Sequence, residues 1–191
     1  MKSALLVIDV QQSFTRRPYW GEDDLPGFLS QLQKLIDRAD AAGVAVLQVF
    51  HVDEVGAENP FSRESGLIQA LPELRIKPAE VFHKSVHSAM FASNANGQSL
   101  DYWLRNHGVG RLIVTGIRTE QCCETTTRHA SDLGYAVSYA IDATLTFPMV
   151  YKSGVSGSGR RYSTAEIRER TELVLEGRFA KVQRAEAVTL P

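Results

Sequence analysis

The sequence predicts an α/β protein of one domain, built on a mostly parallel sheet. Three observations carry this. Short apolar runs lack polar alternation, as in strands buried on both faces. Segments of helical period lie between those runs, which implies right-handed βαβ crossovers. The chain has 191 residues with 43% hydrophobic content, enough for a single sizeable core. No internal repeat or second domain is visible.

The elements follow in order. Ala4-Leu5-Leu6-Val7-Ile8 is the first strand, stopped by Asp9. Phe28, Leu32, Leu35, Ile36 and Ala39 recur at helical spacing, and Gly43 is a suitable stop. Residues 44–52 read as the second strand, 67–71 as a short helix ended near Pro72, and 81–83 as a third strand. Leu100, Trp103, Leu104 and His107 share one helical face. Residues 111–117 form the fourth strand, 120–133 a helix ended by Gly134, and 135–141 the fifth strand. Ser163 and Glu166 form a capping-box signature for a last helix, and residues 179–182 read as the sixth strand. The segment 151–163 holds three glycines and two arginines, Arg160 and Arg161, and is read as a mobile loop that closes over substrate, serves as a solvated connection or makes a subunit contact.

Composition narrows the function. The net charge is −1 and the basic residues are dispersed, so neither a nucleic-acid footprint nor an anionic-membrane partner is expected. No run approaches the ~20 apolar residues of a membrane span. The N-terminal apolar run is too short for a signal segment. The two cysteines, Cys122 and Cys123, are adjacent and do not make a disulfide framework. Free thiols fit a reducing compartment, so a cytoplasmic location is expected. No G-x-G-x-x-G follows the first strand and no Walker A pattern occurs, so phosphate cradling lacks its usual signal.

Ligands of open α/β sheets bind beyond the carboxyl ends of the strands. That rule selects Asp9, the His83-Lys84 pair and the stretch 116–122. Asp9 ends an apolar strand, so an ionised form needs a partner there. Cys122 stands at the predicted entrance to a helix, where unpaired N–H groups and the dipole favour a thiolate. An inert core thiol is the competing reading. Cys123, about 100° further round a helix, is read as packing. Lys84 is a solvated charge taken alone; beside Cys122 or Asp9 it stabilises their ionised forms.

With those positions assembled, the chain resembles the isochorismatase-like cysteine hydrolase superfamily, which includes isochorismatases, nicotinamidases and N-carbamoyl amide hydrolases. Asp9-Val10-Gln11-Gln12-Ser13-Phe14 resembles its D-x-Q-x-x-F strand end. Lys84-Ser85-Val86-His87-Ser88-Ala89-Met90 resembles its K-x-x-x-S-A-F segment, with Met90 in place of the aromatic. Gly116-Ile117-Arg118-Thr119-Glu120-Gln121-Cys122-Cys123 resembles its G-x-x-T-x-x-C-V motif, with Cys123 where valine is usual. Asp132-Leu133-Gly134-Tyr135 and Asp142-Ala143 match its later landmarks.

The resemblance implies a Rossmann-like, three-layer α/β/α domain over residues 1–191, with six strands in the order 3-2-1-4-5-6. It implies Cys122 as nucleophile, Asp9 as general base and Lys84 as the third catalytic residue. It also implies a cis peptide between Ile117 and Arg118, with the Arg118 and Cys122 N–H groups as oxyanion hole. The expected activity is cleavage of an amide or carbamoyl C–N bond of a small molecule through a thioester, without a cofactor. The alternatives are vinyl-ether hydrolysis, as in isochorismatases themselves, and a non-catalytic binding module. A homo-oligomer, dimer or tetramer, is implied likewise.

Substrate contacts are expected from Phe14 and Trp20, which with Tyr19 follow Asp9, unless these rings serve loop packing. The Arg118 side chain either meets a substrate carboxylate or points outward into a salt bridge. Nicotinamidases of the superfamily hold a metal after the second strand. Here that region offers only His51 and Asp53, too few ligands for a usual site, so no catalytic metal is expected. Activity should survive exhaustive chelation; a loss that zinc or iron restores would overturn this.

Overall fold

A computed structural model describes all residues except 54, 55, 57 and 153–158. Its main sheet has six parallel strands. In chain order these are β1 (Lys2–Ile8), β2 (Ala45–His51), β3 (Glu80–Lys84), β4 (Val109–Ile117), β5 (Ala136–Leu145) and β8 (Lys181–Gln183). The spatial order is β3-β2-β1-β4-β5-β8. This is the expected 3-2-1-4-5-6 order, because β6 (Met149–Val150) and β7 (Arg161–Tyr162) form a separate antiparallel ribbon. Helices α1 (Leu25–Ala41), α2 (Leu100–Asn106), α3 (Glu124–Asp132) and α4 (Thr164–Leu175) complete the layers.

β1 shows why the sheet is buried on both sides. Side chains alternate across a strand, so Ala4, Leu6 and Ile8 enter one core with Phe82, Leu100 and Leu104. Leu5 and Val7 enter the other, with Phe28, Leu32, Leu35 and Ile36 of α1. A strand between two apolar layers has no reason to alternate in polarity, and its sequence does not.

Some boundaries differ from the sequence reading. Residues 67–71 form no helix. The Gln12 and Ser13 N–H groups donate to the carbonyls of Gln69 and Leu67, at 2.9 and 3.2 Å, and Ala70 bridges Gln11 in antiparallel fashion. Five residues are too few to sustain a helix, and neighbouring backbone satisfies the segment's polar groups instead. The helix expected over 120–133 begins only at Glu124. Before it, Thr119–Cys123 makes one wide π-type turn in which the Cys123 N–H reaches back five residues to the Arg118 carbonyl at 3.2 Å. The last strand starts two residues later than expected, at Lys181, and β5 runs on to Leu145. The capping box at Ser163 and Glu166 is present as read. Much of the segment expected to be a mobile loop falls outside the described residues; its flanks form the β6–β7 ribbon.

Two backbone features shape the carboxyl edge. Asp9 has φ +56°, which non-glycine residues seldom adopt, so the chain turns sharply as β1 ends. Gly116 has φ +128°, and a Cβ there would lie 2.0 Å from the Ile8 carbonyl oxygen. The end of β4 thus presses against the end of β1, bringing the motif after Gly116 up to Asp9. Gly116→Ala should cost at least about 3 kcal/mol, because both conformation and contact are forbidden. Gly108→Ala, with φ +67° and nothing within 4 Å of the added Cβ, should cost only about 1 kcal/mol. Urea unfolding midpoints of the two variants check the difference.

Candidate active site

β1, β3 and the turn after β4 each deliver one polar side chain to the same point above the sheet. Asp9 and Lys84 form an ion pair, Nζ to Oδ2 at 2.7 Å, with both side chains fully buried. The Lys84 ammonium also donates to the Cys122 Sγ at 3.5 Å and meets His51 Nδ1 at 3.2 Å. An ammonium has three N–H bonds, and here there are three acceptors. Because Lys84 occupies His51 Nδ1 as donor, the His51 ring carries its proton on Nε2 and donates to Asp53 Oδ1 at 3.0 Å. The Asp9 Oδ1 atom is buried without a hydrogen-bond partner.

Electrostatics set the resting states. Burial alone would lower the Lys84 pKa, but the Asp9 charge and the hydrogen bonds to Asp9 and Cys122 outweigh it and hold the pKa above the ordinary lysine value. Burial pushes the Cys122 thiol far above the ordinary thiol range, the Asp9 charge pushes it further, and Lys84 offsets only part. The resting group is therefore a thiol. This corrects the expectation that a helix N-terminus would favour a thiolate: Cys122 sits inside the wide turn, 6% exposed, and burial dominates. Cys123 is fully buried in the core, as expected for packing, and burial raises its thiol as well.

A second shell holds the cluster. Gln11, fully buried, receives the His51 N–H at 2.7 Å and donates to the His51 carbonyl at 2.9 Å. Phe14 packs edge-on against Phe61 at 4.9 Å, and Phe61 meets the His51 ring at 5.8 Å. Arg17 lies over Phe61 at 4.5 Å and 3.9 Å from Asp53. Phe14 thus braces the His51 side of the cluster. Trp20 packs against Phe147 at 5.3 Å. Neither ring lines the cleft of about 540 Å³ that opens beside β3, whose wall includes Asp53, Arg63, His83, Lys84 and Phe91.

Arg118 is buried. Its guanidinium pairs with Glu120 at 2.9 Å and lies 4.9 Å from the centre of the Tyr19 ring. The side chain makes a salt bridge, but a buried one, where the expectation had it pointing outward. The Ile117–Arg118 peptide is cis. The D-A landmark also has a structural account: Asp142 Oδ1 accepts the Ala185 N–H at 2.7 Å and ties down the last segment.

The described residues after β2 do not suit a metal ion. Both His51 nitrogens are engaged, one by an ammonium that would repel a cation. Among the described residues no three His, Cys, Asp or Glu side chains converge as ligands. Also among the described residues, no helix is long and apolar enough to cross a membrane.

Fold and site together define an α/β protein with a buried carboxylate–ammonium–thiol cluster at its strand ends. The isochorismatase domain model matches residues 3–174, so the chain belongs to the isochorismatase family and is a hydrolase of that family. It is 29% identical to nicotinamidase 3 of Arabidopsis thaliana over 158 residues, covering 76% of this chain and 74% of that protein. It is 27% identical to the ureidoacrylate amidohydrolase RutB of Acinetobacter baylyi over 170 residues, covering 70% and 66%. A solved structure assigned to the isochorismatase family, from Chromobacterium violaceum, superposes with a TM-score of 0.81 at 29% identity, covering 97% of this chain and 90% of that one.

Sequence reasoning weighed Asp9, Lys84 and Cys122 and missed Gln11 as a clamp. The D-x-Q spacing was its signal: two residues past Asp9, it reaches the end of the neighbouring strand. Lys84→Met should destabilise the fold by about 3–5 kcal/mol, because it leaves the Asp9 carboxylate buried without a counter-charge. Adding Asp9→Asn should recover a large part of that loss. A double-mutant cycle by urea unfolding checks this; additive effects would contradict a coupled pair.

Proposed function

We propose that the chain hydrolyses an amide or carbamoyl C–N bond of a small molecule through a thioester on Cys122. The observation that carries this reading is the Lys84 ammonium set between the Asp9 carboxylate and the Cys122 sulfur, with all three groups buried. A thiol with a raised pKa needs a base at the moment of attack, and the unpartnered Asp9 Oδ1 is a suitable acceptor. Asp9 takes the thiol proton as sulfur attacks the carbonyl carbon, and Lys84 compensates the negative charge. The oxyanion is assigned to the Arg118 and Cys122 N–H groups at the start of the wide turn. Protonated Asp9 then donates to the leaving nitrogen, the C–N bond breaks, and the thioester awaits water.

The relatives named for amide hydrolysis, a nicotinamidase and a ureidoacrylate amidohydrolase, support C–N cleavage over vinyl-ether chemistry, as does a cysteine in the nucleophile position. Catalysis is proposed to need no cofactor. The test is a panel of small amides and ureido acids, including nicotinamide, with isochorismate as the vinyl-ether control, assayed for ammonia or amine release. At least one C–N substrate should turn over, with Cys122→Ala reducing the rate by 10³-fold or more, on the order of covalent-catalysis losses. Turnover of isochorismate alone, or activity independent of Cys122, would overturn the reading.

A further inference from the structure

Arg118 is anchored through both its carbonyl and its side chain. The carbonyl accepts the Gln121 and Cys123 N–H groups, each at 3.2 Å, and so opens the wide turn that carries Cys122. The guanidinium meets the Glu120 carboxylate at 2.9 Å, and both side chains are buried. Two rings flank the same group, Tyr19 at 4.9 Å and Phe147 at 5.8 Å, and the rings themselves stand 5.4 Å apart. Glu120 is fixed in turn, because its other oxygen accepts the Thr146 hydroxyl at 2.6 Å. The anchors thus come from the segment after β1, the segment after β5 and the turn itself. Among the described residues no acceptor is placed on the Arg118 N–H.

Stability alone does not account for a guanidinium in this position. Its Nε is buried without an acceptor, which is a cost, and the ring faces offset part of it. Apolar side chains of similar volume often replace a buried ion pair with no loss of stability. What the guanidinium adds is a fixed direction. Rotation about the Arg118 N–Cα bond sets where its N–H points. A carbonyl tied into the turn and a side chain tied to Glu120 leave that rotation little freedom.

We propose that Arg118 acts through its side chain as a positioning residue: held by Glu120, Tyr19 and Phe147, the guanidinium aims the residue's own N–H at the oxyanion. This rests on the reading of Cys122 as nucleophile with the Arg118 N–H as an oxyanion donor. In this role the guanidinium touches no reacting atom, and the adjacent Glu120 carboxylate compensates its charge. Alignment matters because a hydrogen bond weakens steeply as its angle closes. An oxyanion donor helps only where it already points at the developing charge. Glu120, two residues along the same turn, is the second half of the device.

The test compares two reagents for the Cys122 sulfur. Acetylation by p-nitrophenyl acetate passes through an oxyanion; alkylation by iodoacetamide displaces iodide at a saturated carbon and forms none. In the wild type both should label Cys122, as mapped by mass spectrometry. Arg118→Met should slow acetylation by about 10²-fold, the lower end of the loss on removing an oxyanion donor, with alkylation unchanged. Glu120→Gln, which keeps its shape and leaves the guanidinium in place, should slow acetylation about tenfold, a partial form of that loss. The sign of this second effect separates positioning from direct charge stabilisation. A guanidinium acting directly on the oxyanion would be strengthened by losing its carboxylate, and acetylation would quicken. Glu120→Gln also keeps the test decisive if Arg118→Met does not fold. Acetylation that is faster or unchanged in Glu120→Gln, or that falls in parallel with alkylation, would overturn the positioning role. A wild type that p-nitrophenyl acetate does not label on Cys122 would instead overturn the nucleophile, so the two failures are distinguishable.

Discussion

A charged lysine and a charged aspartate above the centre of a parallel sheet have no water to stabilise them, so each depends on the other. The contact of 2.7 Å between Lys84 and Asp9 satisfies that demand. Removal of either partner would expose the other to the full cost of desolvation. The ammonium then imposes order on the rest of the site. Its remaining hydrogens need acceptors, and the two found are the Cys122 sulfur and His51 Nδ1. One tetrahedral donor thereby joins side chains from β1, β2, β3 and the turn after β4.

The motif residues read as a hierarchy around that donor. Asp9 is its counter-ion. Gln11 fixes the backbone of His51, which fixes the imidazole that accepts from Lys84. Phe14 braces Phe61, against which the same imidazole packs. A pattern of D-x-Q-x-x-F is thus a sequence of tasks at increasing distance from the ammonium. The K-x-x-x-S-A segment works similarly: Lys84 enters the cluster, Ser88 and Ala89 bind α3, and His87 between them comes within 3.9 Å of the Cys122 sulfur. Gly116 contributes by lacking a side chain, since only then can β4 approach Ile8 closely enough to deliver Cys122.

Much of this was legible in the chain, and the rest was hidden for identifiable reasons. Strands buried on both faces announce themselves as apolar runs, so β1, β2 and β4 could be placed within a residue or two. Asp9 was conspicuous because a carboxylate ending such a run needs an explanation. The helix containing Cys122 was misjudged at its start, because a wide turn and an α-turn have the same apolar pattern and differ only in which carbonyl the N–H reaches. The segment 67–71 misled because a short apolar stretch fits a helix or a strand-like bridge equally well. Phe14, Trp20 and Arg118 were placed on the substrate by sequence proximity to the catalytic motifs. In the structure Phe14 packs on Phe61, Trp20 on Phe147 and Arg118 on Glu120, and the first two contacts depend on residues far away in the chain.

The protonation state of Cys122 bears on how such a site is organised. A thiolate held permanently beside an ammonium would be reactive at all times, toward oxidants as much as toward substrate. Burial and the Asp9 charge instead keep the sulfur protonated at rest. In the proposed reaction the nucleophile exists only while a carbonyl is present to accept its electrons. The proton moves to Asp9 as charge moves from sulfur to the oxyanion, and Lys84 remains within reach of both charge centres in the cluster, at 2.7 and 3.5 Å.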